Sequence, residues 1–247
     1  MLTFDGVTVS FGGRTVLDDI SFSVPTGGIT VLLGQNGVGK STLLRCVNGL
    51  CPYTGTIQLD GVSLAALSIR DRARQIGILP QVLPSTQFTS QTLIELGRNP
   101  YVGTTGRLSE HDREKVEHAI ALTQVHPFLP RPVDTLSGGE RCRVFLAMLL
   151  CQDPTVFLLD EPFAALDAPG RRQFCTLLRT LADNEGKAIL VILHDLTEAM
   201  EIADHVVVLQ NGSVAFSGRR QDCLATTVLE DTFGVHRYTC GELLFFR

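Results

Sequence analysis

Short apolar runs, each giving way to a glycine or a polar side chain, recur along the chain. Residues 30–33 run into Gly34, residues 76–79 precede Gln81, residues 156–159 lead to Asp160 and Glu161, and residues 189–193 lead to His194. Runs of this length, apolar throughout rather than alternating, predict strands buried on both faces, as in a parallel sheet. In open parallel sheets ligands bind beyond the carboxyl ends of the strands, so these strand-end residues are expected to converge on one site. A fifth run, residues 206–209, passes through Gln210-Asn211-Gly212-Ser213 to another at 214–216 and predicts a hairpin.

The first 28 residues follow a different pattern. Positions 2–11 alternate, Gly12-Gly13-Arg14 turns, and positions 20–24 alternate again before Pro25-Thr26-Gly27-Gly28. Together with residues 55–59 and Asp60-Gly61 they predict a small antiparallel sheet beside the parallel one. Between Pro84 and Pro132 the period becomes helical, with a short helix over 92–97 and a longer one over 109–125. Ser109 is the expected N-cap of the longer helix, with Asp112 at N3 and Val116, Ile120 and Leu122 on its apolar side. Further on, Leu136-Ser137-Gly138-Gly139-Glu140 precedes the apolar-rich run 144–150. Ser137 is placed to cap that helix and Glu140 to complete a capping box. The free amides and positive dipole end of such a helix favour an anion, and two glycines let the backbone approach it. An ordinary capped helix is the alternative.

Composition narrows the class. A chain of 247 residues holds one sizeable core, so a single domain with subdomains is expected. It is 44% hydrophobic and 19% charged with a net charge of -5, which argues against nucleic acid as a partner. The longest apolar stretches, 188–193 and 144–151, fall far short of the roughly 20 residues that span a bilayer. Residues 1–6 include an acid and lack the pattern of a signal peptide, so the chain is expected to stay where it is made. Seven cysteines (Cys46, Cys51, Cys142, Cys151, Cys175, Cys223, Cys240) form no CxxC pair, which disfavours a disulfide framework or a zinc site.

The most specific local pattern is Gly34-Gln35-Asn36-Gly37-Val38-Gly39-Lys40-Ser41, a match to G-x-x-x-x-G-K-[ST] between a buried strand and a helix expected to begin near Thr42. Its glycines expose backbone N–H groups to phosphates, Lys40 reaches the β and γ phosphates, and the Ser41 hydroxyl can ligate Mg²⁺. ATP and Mg²⁺ are the expected cofactors. Asp160 supplies a metal-side carboxylate, through water. Glu161 is a second carboxylate beyond what Mg²⁺ needs, and a water attacking the γ phosphate needs orientation and a proton acceptor, so it is assigned as general base. A solvated strand-end charge is its alternative. His194 fits either a structural histidine or, from its strand-end position, a sensor of the γ phosphate.

The ordered set of phosphate loop, Gln81, 136–140, 155–161, Ala165-Leu166-Asp167 and His194 resembles the ATP-binding cassette ATPases over nearly the whole chain. The resemblance implies an α/β fold of the P-loop NTPase, RecA-like type. It would be one domain, 1–247, with 1–28 plus about 55–61 as an antiparallel β subdomain, 29–81 and 152–247 as the parallel core, and about 84–150 as an inserted helical subdomain. It further implies a head-to-tail homodimer closing over two ATP molecules, the phosphate loop of one copy facing Ser137, Gly138 and Gly139 of the other. On the same ground Phe11 stacks on adenine, with a hairpin core residue as the alternative; Gln81 senses Mg²⁺, water and a membrane partner; and Asp167 lies in the loop that crosses the dimer. Gly34, Asn36, Gly37, Gly39, Lys40, Ser41 and Thr42 complete the nucleotide contacts. Such a subunit works with an integral membrane permease, which would dock on residues 91–107 and the Gln81 strand end, and with a substrate-binding protein, at the cytoplasmic face of the inner membrane. Leu79-Pro80-Gln81, 96–101, Leu108-Ser109 and 112–116 are similar to the importer ATPases for iron-siderophore, haem and cobalamin. Residues 162–167, Pro-Phe-Ala-Ala-Leu-Asp, are closer to other importers, so import of another small solute stays open, as does a non-transport cassette such as an iron-sulfur cluster assembly ATPase.

Overall fold

The computed structural model describes residues 1–103, 106–240 and 243–247. In chain order, β1 (Leu2–Phe11), β2 (Arg14–Val24), β3 (Gly28–Gly34), α1 (Lys40–Val47), β4 (Thr54–Leu59) and β5 (Val62–Ser63) come first. The middle of the chain forms α2 (Ile69–Gln75), β6 (Ile76–Leu79), α3 (Ser90–Leu96), α4 (Glu110–Thr123), α5 (Gly138–Gln152) and β7 (Val156–Asp160). Then follow α6 (Ala168–Glu185), β8 (Ala188–Ile192), α7 (Leu196–Ile202), β9 (His205–Gln210), β10 (Ser213–Arg219), α8 (Arg220–Leu224), α9 (Val228–Phe233), β11 (Arg237–Cys240) and β12 (Leu243–Phe246). Residues 1–67 and 178–247 form one compact unit and residues 68–177 a second.

In the first unit β3 pairs in parallel with β8 on one side and β9 on the other. Every residue of β3 and of β8 is buried, which is why these segments are apolar without alternation. The β9–β10 hairpin turns on Asn211 and Gly212, both at positive φ (53° and 82°), the combination that a two-residue turn matched to strand twist requires. The antiparallel sheet has the order β2-β1-β4-β5. Its inward residues Leu2, Phe4, Val7 and Val9 are buried, and the Phe4 and Phe22 rings stack with centroids 4.4 Å apart.

In the second unit β6 and β7 are parallel, with Ile76 opposite Val156 and Leu79 opposite Leu159. Helix α4 starts as the sequence predicts, on a capping box in which Ser109 and Asp112 satisfy each other's backbone. Asp112 also anchors a buried ion pair: Arg98 Nε donates to its Oδ1 at 2.8 Å while Arg98 Nη1 donates to the Cys151 carbonyl, also at 2.8 Å. The guanidinium sits 3.9 Å from the centre of the Tyr101 ring. Burial alone would raise the Asp112 pKa, but hydrogen bonds from Ser109 and the Arg98 charge outweigh it and hold the carboxyl at about 2.

Element boundaries shift by a few residues. Helix α1 begins at Lys40 rather than near Thr42 because Gly39, at φ 112°, takes the N-cap position. The short helix expected over 92–97 starts at Ser90, where the Thr89 hydroxyl caps it by accepting the Thr92 N–H. Of the stretch 91–107, residues 104 and 105 lie outside the described residues. Cys46, Cys51, Cys142, Cys151, Cys175 and Cys223 form no disulfide, and the Cys240 side chain lies outside the described part.

Candidate functional site

The phosphate-loop residues belong to the first unit. The chain leaves β3 at Gly34 and enters α1 at Lys40, so the intervening turn presents backbone amides around the helix start. At Gly39 only glycine fits, since φ is 112° and a Cβ would come within 2.5 Å of Leu17 Cδ2. Lys40 is 6% exposed, and its ammonium folds back over the turn, donating to the Gly34 carbonyl at 2.7 Å and the Gln35 carbonyl at 3.1 Å. Those bonds hold a cation at the mouth of the loop, where phosphate oxygens can take over as acceptors. Asn36 and Gly37 are exposed at the tip, and Ser41 and Thr42 are half-buried in the first turn of α1. A cavity of about 550 Å³ lies against the loop, lined by Arg14, Val16, Gln35, Val38, Leu209 and Asn211 among others. Phe11 closes β1 and is 51% exposed, so the alternative of a hairpin core residue does not hold. His194 is exposed just beyond β8, next to Asp195, whose Oδ1 caps α7 by accepting the Glu198 N–H at 2.9 Å.

The second unit holds the carboxylates and the signature. Asp160 ends β7 with its side chain 8% exposed. Glu161 follows at φ 50°, a left-handed conformation that a non-glycine residue adopts only where the surroundings impose it. Its Oε2 accepts a hydrogen bond from Gln81 Nε2 at 2.8 Å, joining two residues far apart in sequence. The turn after Glu161 is pinned from α5, whose Cys142 thiol donates to the Pro162 carbonyl at 3.4 Å. Burial pushes that thiol up to about 11, so it stays protonated and able to donate. Asp167 Oδ1 accepts the Gly170 N–H at 2.9 Å, fixing the turn into α6.

Ser137 caps α5 through a complete capping box: Ser137 Oγ accepts the Glu140 N–H at 3.3 Å and Glu140 Oε2 accepts the Ser137 N–H at 2.8 Å. The Ser137 N–H is the main influence holding the Glu140 carboxyl below its usual range. Gly138 and Gly139 pack against Ala165: Cβ atoms on them would lie 3.1 Å from its Cβ and 3.2 Å from its carbonyl oxygen. The signature and the 162–167 turn are thus one packed corner. Cys142 was not among the residues expected to matter, because a thiol inside an apolar helical run looks like any other core position.

Among the described residues there is no cluster of three or more His, Cys, Asp and Glu side chains able to hold a metal unaided. Mg²⁺ needs no such cluster, since it keeps most of its water and takes one or two protein oxygens beside substrate phosphates. Ser41, Asp160 and Gln81 are oxygen donors of the right kind.

A glycine-rich turn between a buried parallel strand and a helix, with a lysine folded over it, defines a P-loop nucleoside triphosphatase. More narrowly, the chain belongs to the ABC transporter family, whose pattern it matches over residues 17–164. It is 40% identical over 235 residues to the hemin import ATP-binding protein HmuV of Rhodococcus jostii, covering 94% of this chain and 80% of that one. It is 37% identical over 241 residues to the petrobactin import ATP-binding protein FpuD of Bacillus anthracis, covering 97% and 88%. The fold superposes with a TM-score of 0.79 on a dimeric ATP-binding cassette in a post-hydrolysis state bound to ADP and Pi, at 25% identity over 89% of this chain and 99% of that one.

Proposed function

We propose that this chain is the ATP-hydrolysing subunit of an importer for an iron chelate, haem or cobalamin, acting as a head-to-tail homodimer beneath a membrane permease. The observation that carries the hydrolytic part is Glu161, placed next to the buried Asp160 at the end of β7 and held by Gln81 at 2.8 Å. The cargo class rests on the relatives, which include hemin and petrobactin import ATP-binding proteins.

In this reading the 34–41 loop wraps the β and γ phosphates, Lys40 exchanges its two carbonyl acceptors for phosphate oxygens, and Phe11 stacks on adenine. Ser41 and Asp160, with Gln81, would hold Mg²⁺, which when bound would supply positive charge to offset that of the phosphates. Glu161 takes a proton from the attacking water as the water oxygen bonds to the γ phosphorus and the bond to the bridging oxygen breaks. His194 donates to the γ phosphate. Gln81 donates to one oxygen of the base and so orients it; a permease docked on the Gln81 strand end and residues 91–107 would control that orientation. Ser137, Gly138 and Gly139 of the second copy complete the site, and Asp167 lies where the two copies cross. Among the described residues no helix is long and apolar enough to cross a membrane. In this reading the permease holds the chain at the cytoplasmic face.

Affinity purification from membranes tests the assignment. Recovery of a polytopic membrane protein, and ATP-dependent uptake of haem or a ferric siderophore by vesicles holding that complex and its substrate-binding protein, is expected. Recovery with soluble scaffold proteins only would contradict it.

A further inference from the structure

We infer that Arg131 is a positioning residue for the signature, balancing the charge of Glu140 so that the Ser137 end of α5 can accept a phosphate. Glu140 completes the capping box, but it also puts a carboxylate three residues from Ser137, at the helix end meant to meet an anion. Only one of its oxygens serves the box. The other, Oε1, faces Arg131 Nη1 at 3.4 Å.

Arg131 is built to stay there. Its Nη2 donates to the Thr135 carbonyl at 2.8 Å, and its guanidinium lies 5.9 Å from the centre of the Phe128 ring. Its backbone carbonyl takes two hydrogen bonds from the buried Ser90, from the N–H at 2.9 Å and from the hydroxyl at 3.1 Å. On either side, Gln91 N–H donates to the Leu129 carbonyl at 3.1 Å and Val133 N–H to the Phe88 carbonyl at 3.0 Å. The short ladder between 88–91 and 129–133 therefore sets the guanidinium at the start of α5. With Oε1 paired, the Glu140 charge is offset locally. The Ser137 hydroxyl oxygen accepts the Glu140 N–H, and the Ser137 side chain also bonds the Glu140 carboxylate, so the state of that carboxylate bears directly on the serine. An ion pair to a residue outside the helix, fixed by its own backbone and ending on the signature carboxylate, is more than a capped helix needs.

This inference rests on the proposal that the signature meets the ATP of a second copy, and the test separates the two. In the full chain carrying Glu161→Gln, the ATP concentration that half-maximally drives dimerisation is measured by light scattering, and nucleotide affinity of the monomer by equilibrium dialysis. Adding Arg131→Ala should raise the half-maximal ATP concentration about tenfold, equivalent to ~1.4 kcal/mol, with monomer affinity unchanged. Arg131→Lys, which keeps the charge and loses the fork, should fall between. Adding Glu140→Gln to Arg131→Ala keeps a capping-box acceptor while removing the unpaired acid, and should recover most of the loss. An unchanged midpoint for Arg131→Ala, or no recovery in the double variant, would overturn the role assigned to Arg131. Failure of Glu161→Gln alone to dimerise with ATP would overturn the composite-site reading instead.

Discussion

In the proposed mechanism Glu161 carries the chemistry, and it is one of the described non-glycine residues held at positive φ. The chain leaves β7 with Glu161 at a φ of 50°, and Gln81 holds its carboxylate. Glu161→Gln removes the proton acceptor while keeping the shape, so turnover should fall by roughly 10²- to 10⁴-fold with ATP still bound, measured by phosphate release and by retained nucleotide. Undiminished turnover would remove Glu161 from the role of base. Lys40→Ala should instead weaken ATP binding itself by about 1.5–3 kcal/mol, the size of a charged hydrogen bond, as read by nucleotide titration. The phosphate loop and the strand-end carboxylates were legible in the sequence because their spacing is dictated by a ligand of fixed shape. The Gln81–Glu161 bond, the Cys142 thiol on Pro162 and the Arg131 pair with Glu140 were not, because each depends on residues brought together by the fold.

Elements that announce their ends in sequence were found, and those that bury little were not. Helix α4 showed its capping box, and the β9–β10 hairpin its Asn-Gly turn. Helix α2 buries none of its residues, so no apolar period betrays it. Helix α6 could have been found: Phe174, Leu178, Leu181 and Ala182 are buried at helical spacing. The helices of the second unit are tied by the Arg98–Asp112 pair, whose loss from one side leaves a buried charge unpaired. Asp112→Ala is therefore expected to cost about 3–5 kcal/mol in urea unfolding at neutral pH. Because folding lowers the Asp112 pKa from its ordinary 3.8 to about 2, its contribution is fully present above 3.8 and is lost as pH falls toward 2. The stability gap between wild type and Asp112→Asn should narrow on acidification through that window, and a gap independent of pH there would contradict the pairing.

At the scale of the whole molecule, the phosphate loop and His194 lie in one compact unit and Asp160, Glu161 and the signature in the other. In the proposed dimer two copies together make each hydrolytic site, with the phosphate loop of one and Ser137 of the other. Hydropathy and motif spacing could supply the parts of such a site, but a site shared between copies leaves no local trace beyond a phosphate-binding signature in excess of what one nucleotide needs. Mixing two inactive chains tests this most directly. Lys40→Ala and Ser137→Arg each spoil both sites of their own homodimer, whereas their heterodimer retains one site with Lys40 and Ser137 intact. At equal amounts, with random pairing and independent sites, the mixture should recover roughly a quarter of wild-type ATPase activity. No recovery at any ratio, with heterodimers shown to form, would contradict the shared site.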